Sequence, residues 1–109
     1  MTTFFITRHP GAREWAQEEG VAIDRLVTHL DPADVQPGDT VLGTLPVNLA
    51  AEICARGARY FHLSLDLPAE WRGRELTAED MRRFGAVLEE YRVETSGYHD
   101  PSLDESHTP

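Results

Sequence analysis

The chain repeats one succession: a short run of β-branched and apolar residues, a polar loop, then an amphipathic segment closed by glycine. Residues 3 to 7, Thr-Phe-Phe-Ile-Thr, predict a buried first strand that ends at the Pro10-Gly11 break. Residues 12 to 19 set Ala12, Trp15 and Ala16 on one face against Glu14, Gln17 and Glu18, a short helix stopped by Gly20. Residues 24 to 29 predict a second strand. Asp31-Pro32 through Pro37-Gly38-Asp39 is turn-rich, and residues 40 to 42 predict a third strand. A second helix carries Leu49, Ala50, Ile53 and Cys54 between Pro46 near its start and Gly57 past its end. Residues 59 to 65 predict a fourth strand, with Phe61, Leu63 and Leu65 alternating against Tyr60, His62 and Ser64. Thr77 and Asp80 have capping-box spacing, and Met81, Phe84, Leu88 and Tyr91 at helical spacing predict a last helix running to Tyr91.

Strands that alternate with helices imply parallel pairing, because parallel neighbours need a crossover and a helix is the usual one. The expected fold is α/β, with a small, mostly parallel sheet between helical layers. Residues 1–94 are expected to form that domain. Residues 95–109, rich in Ser, Asp, His, Pro and Thr with little to bury, are expected to form a disordered acidic tail.

Composition narrows the function. A chain of 109 residues supports one core and leaves any deep cleft to be completed by a second copy. The net charge of -9 argues against long duplex DNA or RNA, whose partners carry broad positive surfaces, but not against a small anion in a local pocket. All ten basic residues are arginine, each a permanently charged fork suited to phosphate. The single cysteine, Cys54, rules out an intrachain disulfide and a cysteine-based zinc cluster. No apolar run approaches the roughly 20 residues of a membrane span. The start has no basic leader, so a cytoplasmic protein is expected.

In open parallel sheets, ligands bind at the carboxyl ends of the strands, where helices begin. That directs attention to residues 7 to 11, 43 to 48 and 64 to 74. The first loop offers Thr7, Arg8 and His9, with Gly11 permitting close backbone approach. The second offers Thr44 and Asn48, residue types that also serve as ordinary helix caps. The third offers Ser64 and then Trp71-Arg72-Gly73-Arg74, either an aromatic and arginine clamp or a surface segment paired to Glu70 and Glu75. His62 reads as a satisfied mid-strand histidine. There is no dinucleotide glycine fingerprint, no phosphate-binding Gly-Lys-Ser, no His-Glu-x-x-His and no calcium-loop spacing, so neither metal nor cofactor is expected.

Four strings together carry a resemblance: Thr-Arg-His-Pro-Gly-Ala (7 to 12), His-Leu-Asp-Pro (29 to 32), Gly-Asp-Thr-Val-Leu-Gly-Thr-Leu-Pro-Val-Asn-Leu-Ala (38 to 50) and Leu-Asp-Leu-Pro-Ala-Glu-Trp-Arg-Gly (65 to 73). Over roughly residues 2 to 94 the chain resembles the CRISPR-associated Csx-sixteen family, small proteins encoded beside type III systems. The resemblance implies a Rossmann-like (CARF-like) three-layer domain acting as a homodimer on a cyclic oligoadenylate messenger. The implied activity is that of a ring nuclease, which linearises the ring and ends the antiviral signal, with cyclic tetra-adenylate the expected ring. On that view His9 is the general acid or base and Arg8 stabilises phosphoryl charge. Thr7, Gly11, Thr44, Asn48, Ser64, Arg72 and Arg74 would bind substrate.

Three rivals are weighed beside it. Arg8-His9 is similar to the motif of histidine phosphatases, but Pro10 stands where that motif has glycine. A sponge or sensor would need nearly the same pocket without cutting. An interaction protein would instead use the acidic surface and tail.

Overall fold

Adjacent phenylalanines in the first strand face opposite sides of the sheet and begin both halves of the core. In the computed structural model, which describes residues 1–98 and 100–103, strand β1 spans Thr3–Ile6. Phe4 packs with Val35, Val41, Ile53 and Tyr60 on one side, while Phe5 packs with Trp15, Leu42, Leu63 and Met81 on the other. The two-residue period of a strand makes this division unavoidable. Full burial of one such side chain is worth about 1.5–3 kcal/mol.

Helix α1 (Pro10–Glu18) follows β1, then β2 (Arg25–Val27), a 3-10 turn (Pro32–Asp34), β3 (Thr40–Gly43), α2 (Val47–Ala55) and β4 (Arg59–Ser64). A second 3-10 turn (Ala69–Trp71), α3 (Ala78–Arg83), β5 (Val87–Tyr91) and a third 3-10 turn (Pro101–Leu103) complete the described chain. The sheet has five strands in the order β2-β1-β3-β4-β5. The first four are parallel, with Phe5 level with Leu26 and Leu42, and Val41 level with Tyr60. Helices α1 and α3 cover the Phe5 face and α2 covers the Phe4 face, a small three-layer, Rossmann-like α/β fold.

The expected helix through Tyr91 is corrected. Helix α3 stops at Arg83, and Val87–Tyr91 is an edge strand antiparallel to β4, with Leu88 level with Leu63 and Tyr91 level with Tyr60. The capping box of Thr77 and Asp80 is present at the start. The termination lies in Gly85, whose φ of 72° lets the chain turn left-handed. Ala86 N–H then reaches back to Met81 O (2.9 Å) and Gly85 N–H to Arg82 O (3.1 Å). This pair of bonds is the Schellman motif, and the same pattern closes α1 on Ala16 and α2 on Ile53. Leu88 meets the Phe5-side core from a strand as readily as it would have from a helix.

At the amino end of the sheet, Asp39 is buried and accepts from the N–H groups of Thr2 and Gln36, both at 2.8 Å. The Gln36 bond, then the Thr2 bond, hold its carboxyl below the usual carboxylate range, against the opposing effect of burial. Beside β2, Asp24 accepts from Thr3 N–H at 2.8 Å. Of the expected tail, residues 99 and 104–109 lie outside the described residues. Among the described residues, no helix is long and apolar enough to cross a membrane.

Candidate functional site

The strand order reverses between β1 and β3, because the β1–α1–β2 unit winds one way and the β3–α2–β4 unit the other. Connections that part in opposite directions leave a crevice above the carboxyl ends of the two strands. Both helices that begin there lack a side-chain cap. Extended His9 is the N-cap of α1, and Pro46 is the N-cap of α2. The first N–H groups of α2, from Val47 to Leu49, and the positive ends of two helix dipoles are thus left for something other than the helices' own side chains, whereas α1 begins on Pro10, which has no N–H, and its Ala12 N–H bonds His9 O.

Above the crevice lies a cleft of about 970 Å³ lined by Thr7, Arg8, His9, His29, Thr44 and Arg74, over apolar residues that include Leu45, Leu63, Leu65 and Met81. Five of the nine sequence-predicted site residues therefore come together: Thr7, Arg8, His9, Thr44 and Arg74. Gly11, Asn48, Ser64 and Arg72 are not among the lining residues. Asn48 is the exposed second residue of α2 and caps nothing, since the cap position belongs to Pro46. Gly11 is buried. A Cβ there would stand 1.9 Å from Leu76 O, so glycine is needed where α1 meets the backbone leading into α3. The close approach foreseen for Gly11 is thus made by the protein's own chain.

The two threonines shape their loops. Thr7 Oγ1 accepts from His9 N–H at 3.1 Å, turning the chain so that His9 can open α1, and the Thr44 hydroxyl donates to Leu63 O at 3.2 Å, joining the ends of β3 and β4. Tyr60 anchors the same β3–α2 loop from below. Its hydroxyl accepts from Leu45 N–H at 2.9 Å, lies 3.2 Å from Gly43 O and 2.6 Å from His62 Nδ1. One hydroxyl proton satisfies all three contacts when His62 carries its own proton on Nδ1 and Tyr60 donates to Gly43 O. Burial pushes the Tyr60 hydroxyl up from its ordinary pKa, with the Leu45 bond opposing.

Sequence reasoning missed His29. It follows β2 and is exposed, and its Nε2 stands 3.0 Å from Arg8 Nη2. A guanidinium has no lone pair to offer, so Nε2 is the acceptor and the imidazole is neutral with its proton on Nδ1. The signal was available, because the carboxyl end of β2 opens on the same side as those of β1 and β3. Arg74, at the far wall, lies 4.9 Å above the Trp71 ring, which also meets Phe84 edge to face. The alternative pairing of Arg72 and Arg74 with Glu70 and Glu75 is not made among the described residues, where ion pairs join Arg56 to Glu52, Arg59 to Glu90 and Arg82 to Glu18. Among the described residues, Arg8, His9, His29 and Arg74 thus share the cleft without a carboxylate partner, and Glu75 is the one acidic residue in its lining.

A second hollow, of about 560 Å³, runs between the end of α2 and the β4–β5 edge. Its Arg59 is bound by both carboxylate oxygens of Glu90, at 2.8 and 3.0 Å, which raises the arginine and lowers the glutamate. Arg59 in this hollow is already held by a carboxylate, whereas Arg8 and Arg74 in the cleft make no ion pair among the described residues.

Residues 4–94 match the model of a family described as "Putative CRISPR-associated protein (Cas_VVA1548)". No curated protein and no solved structure matches the chain.

Proposed function

Because the chain belongs to this family of CRISPR-associated proteins, we propose that it is a ring nuclease, which binds a cyclic oligoadenylate and cuts it to switch off type III antiviral signalling. The observation that carries the reading is the gathering of Arg8, Arg74, His9 and His29, without carboxylate partners among the described residues, in one cleft of a chain whose net charge is -9. Such a chain repels polyanions over most of its surface and accepts one where cations are concentrated. The cleft's volume and apolar floor suit a nucleotide better than a bare phosphate.

The reaction that fits this residue set is internal transfer at phosphorus. A ribose 2'-OH attacks the neighbouring phosphate in line and the 5'-oxygen leaves, producing a linear adenylate with a 2',3'-cyclic phosphate end. Arg8 and the uncapped N–H groups at the start of α2 stabilise charge on the phosphoryl oxygens. His9 supplies acid or base catalysis, a contribution of about 10² to 10⁴-fold. Arg74 on Trp71 forms a platform for an adenine or its phosphate. A ring with two-fold symmetry suits two copies of a small domain, so the active form is a homodimer and the preferred ring is cyclic tetra-adenylate.

Incubation with cyclic tetra-adenylate and, separately, cyclic hexa-adenylate in EDTA, followed by mass analysis, tests the reading. Linear adenylates ending in a cyclic phosphate are expected. Rings that are bound and stay intact under excess protein would make the chain a sponge or sensor instead.

A further inference from the structure

In the cleft, Arg8 and His29 satisfy each other: the guanidinium donates to Nε2 across 3.0 Å, and neither has another side-chain partner among the described residues. The contact is a hydrogen bond in one state of His29, since the guanidinium can only donate. In that state the lone pair is on Nε2 and the proton on Nδ1, the form that a proton acceptor must have. The imidazole is also placed beside the one arginine of the β1–α1 loop, so a phosphate drawn to Arg8 arrives next to that lone pair. Phosphate is the better acceptor for a guanidinium, because the bond is then between opposite charges and can be bidentate. An incoming phosphate therefore takes Arg8 from His29 and exposes Nε2 as it binds.

We propose that His29 is the general base of the site, masked by Arg8 until a phosphodiester arrives. The assignment rests on the ring-cleaving reading and completes it. In the balanced step, the ribose 2'-OH gives its proton to His29 Nε2 as the 2'-oxygen forms a bond to phosphorus. The bond from phosphorus to the 5'-oxygen breaks, and that oxygen takes a proton from the His9 imidazolium. One histidine starts neutral and the other charged, and each ends in the opposite state. Proton return through water restores both. The charged and titratable groups that share the cleft are Arg8 and His9 from the β1–α1 loop, and Arg74 and Glu75 from the segment before α3. Of these only His9 is a second imidazole, and its acid role gives it the opposite limb of a pH profile.

The test is the single-turnover pH–rate profile of ring cleavage for the wild type, His29→Gln and His9→Gln. Ring affinity and thermal unfolding are measured beside it. His29 is exposed and bonds only Arg8, so the folded state should survive its replacement. For the wild type, the rate is expected to fall toward acid as the general base takes up a proton. His29→Gln should cut at least about 100-fold more slowly, lose that acidic limb and keep its ring affinity. His9→Gln should keep the acidic limb. A His29→Gln protein within a few fold of wild type, or one slowed with its acidic limb intact, overturns the base assignment while leaving ring cleavage standing. A wild type that never cuts overturns the ring-cleaving reading and this assignment together.

Discussion

The two ends of the parallel sheet use their polar residues in opposite ways. At the amino end every charged group discussed has a fixed partner: Asp39 holds Thr2 and Gln36, Asp24 holds Thr3, and Arg59 is clasped by Glu90. At the carboxyl end, among the described residues, Arg8 has only the His29 imidazole, Arg74 only an aromatic ring, and neither helix start has a side-chain cap. Partnered polar groups stabilise the native state, while unpartnered ones are free to exchange water for a ligand. The sheet is thus tied at one end and open for binding at the other.

That contrast can be broken most sharply at Arg8. Arg8→Ala should lower kcat/KM for ring cleavage by about 100-fold or more while leaving the thermal unfolding midpoint unchanged, because the residue is exposed and ties nothing else in place. An unfolding midpoint well below wild type would mean that the carboxyl end is structural too. Tyr60→Phe tests the boundary between the two uses. It removes the hydroxyl that anchors Leu45 N–H and Gly43 O, so chemical denaturation should show a loss of about 1–3 kcal/mol, with a smaller fall in cleavage than at Arg8.

Asp39→Asn belongs wholly to the amino end. A comparable or smaller loss of stability is expected, with cleavage per folded molecule unchanged. The same residue gives a pH signature. The Asp39 pKa lies below the ordinary 3.8 in the folded state, so its contribution is complete above that value. As pH drops through the ordinary value toward the folded one, the contribution is lost, because the unfolded chain then binds the proton more readily. Unfolding midpoints measured from pH 6 down to pH 2 should fall less steeply for Asp39→Asn than for wild type. The smallest effect is expected at Arg59→Ala. Its ion pair with Glu90 is exposed, and the midpoint should not move measurably, least of all in high salt.

Legibility in the sequence followed the same physical lines. The four parallel strands were readable because β-branched runs end at Pro or Gly, and α1 and α2 because Gly20 and Gly57 follow their last apolar residues. Gly85 carried an identical signal and was passed over, since Met81, Phe84, Leu88 and Tyr91 happen to fit helical spacing across it. Leu88 and Tyr91, three residues apart, face opposite sides of the sheet in β5, so the helical spacing they share with Met81 and Phe84 is coincidental, and only the turn at Gly85 reveals it. In the site, Arg8, His9 and Arg74 were found by reasoning from strand ends. His29 escaped because the same reasoning was not applied to β2. Gly11 illustrates a further limit: its need for a bare Cα is set by Leu76, about sixty-five positions away in sequence, and no local pattern could reveal that contact.

The direction of β5 has a practical consequence. By running back against β4, it delivers the chain at Tyr91 to the level of Tyr60, and residues 93 to 95 border the hollow beside Gly57 and Arg59, on the side of the sheet away from the cleft. A fluorophore, affinity handle or sensor-surface tether joined to the side chains of residues 93 to 95 leaves from the amino end of the sheet. Immobilised in this way, the protein would present the mouth of its cleft to flowing solution, an orientation suited to recording ligand arrival and departure in real time.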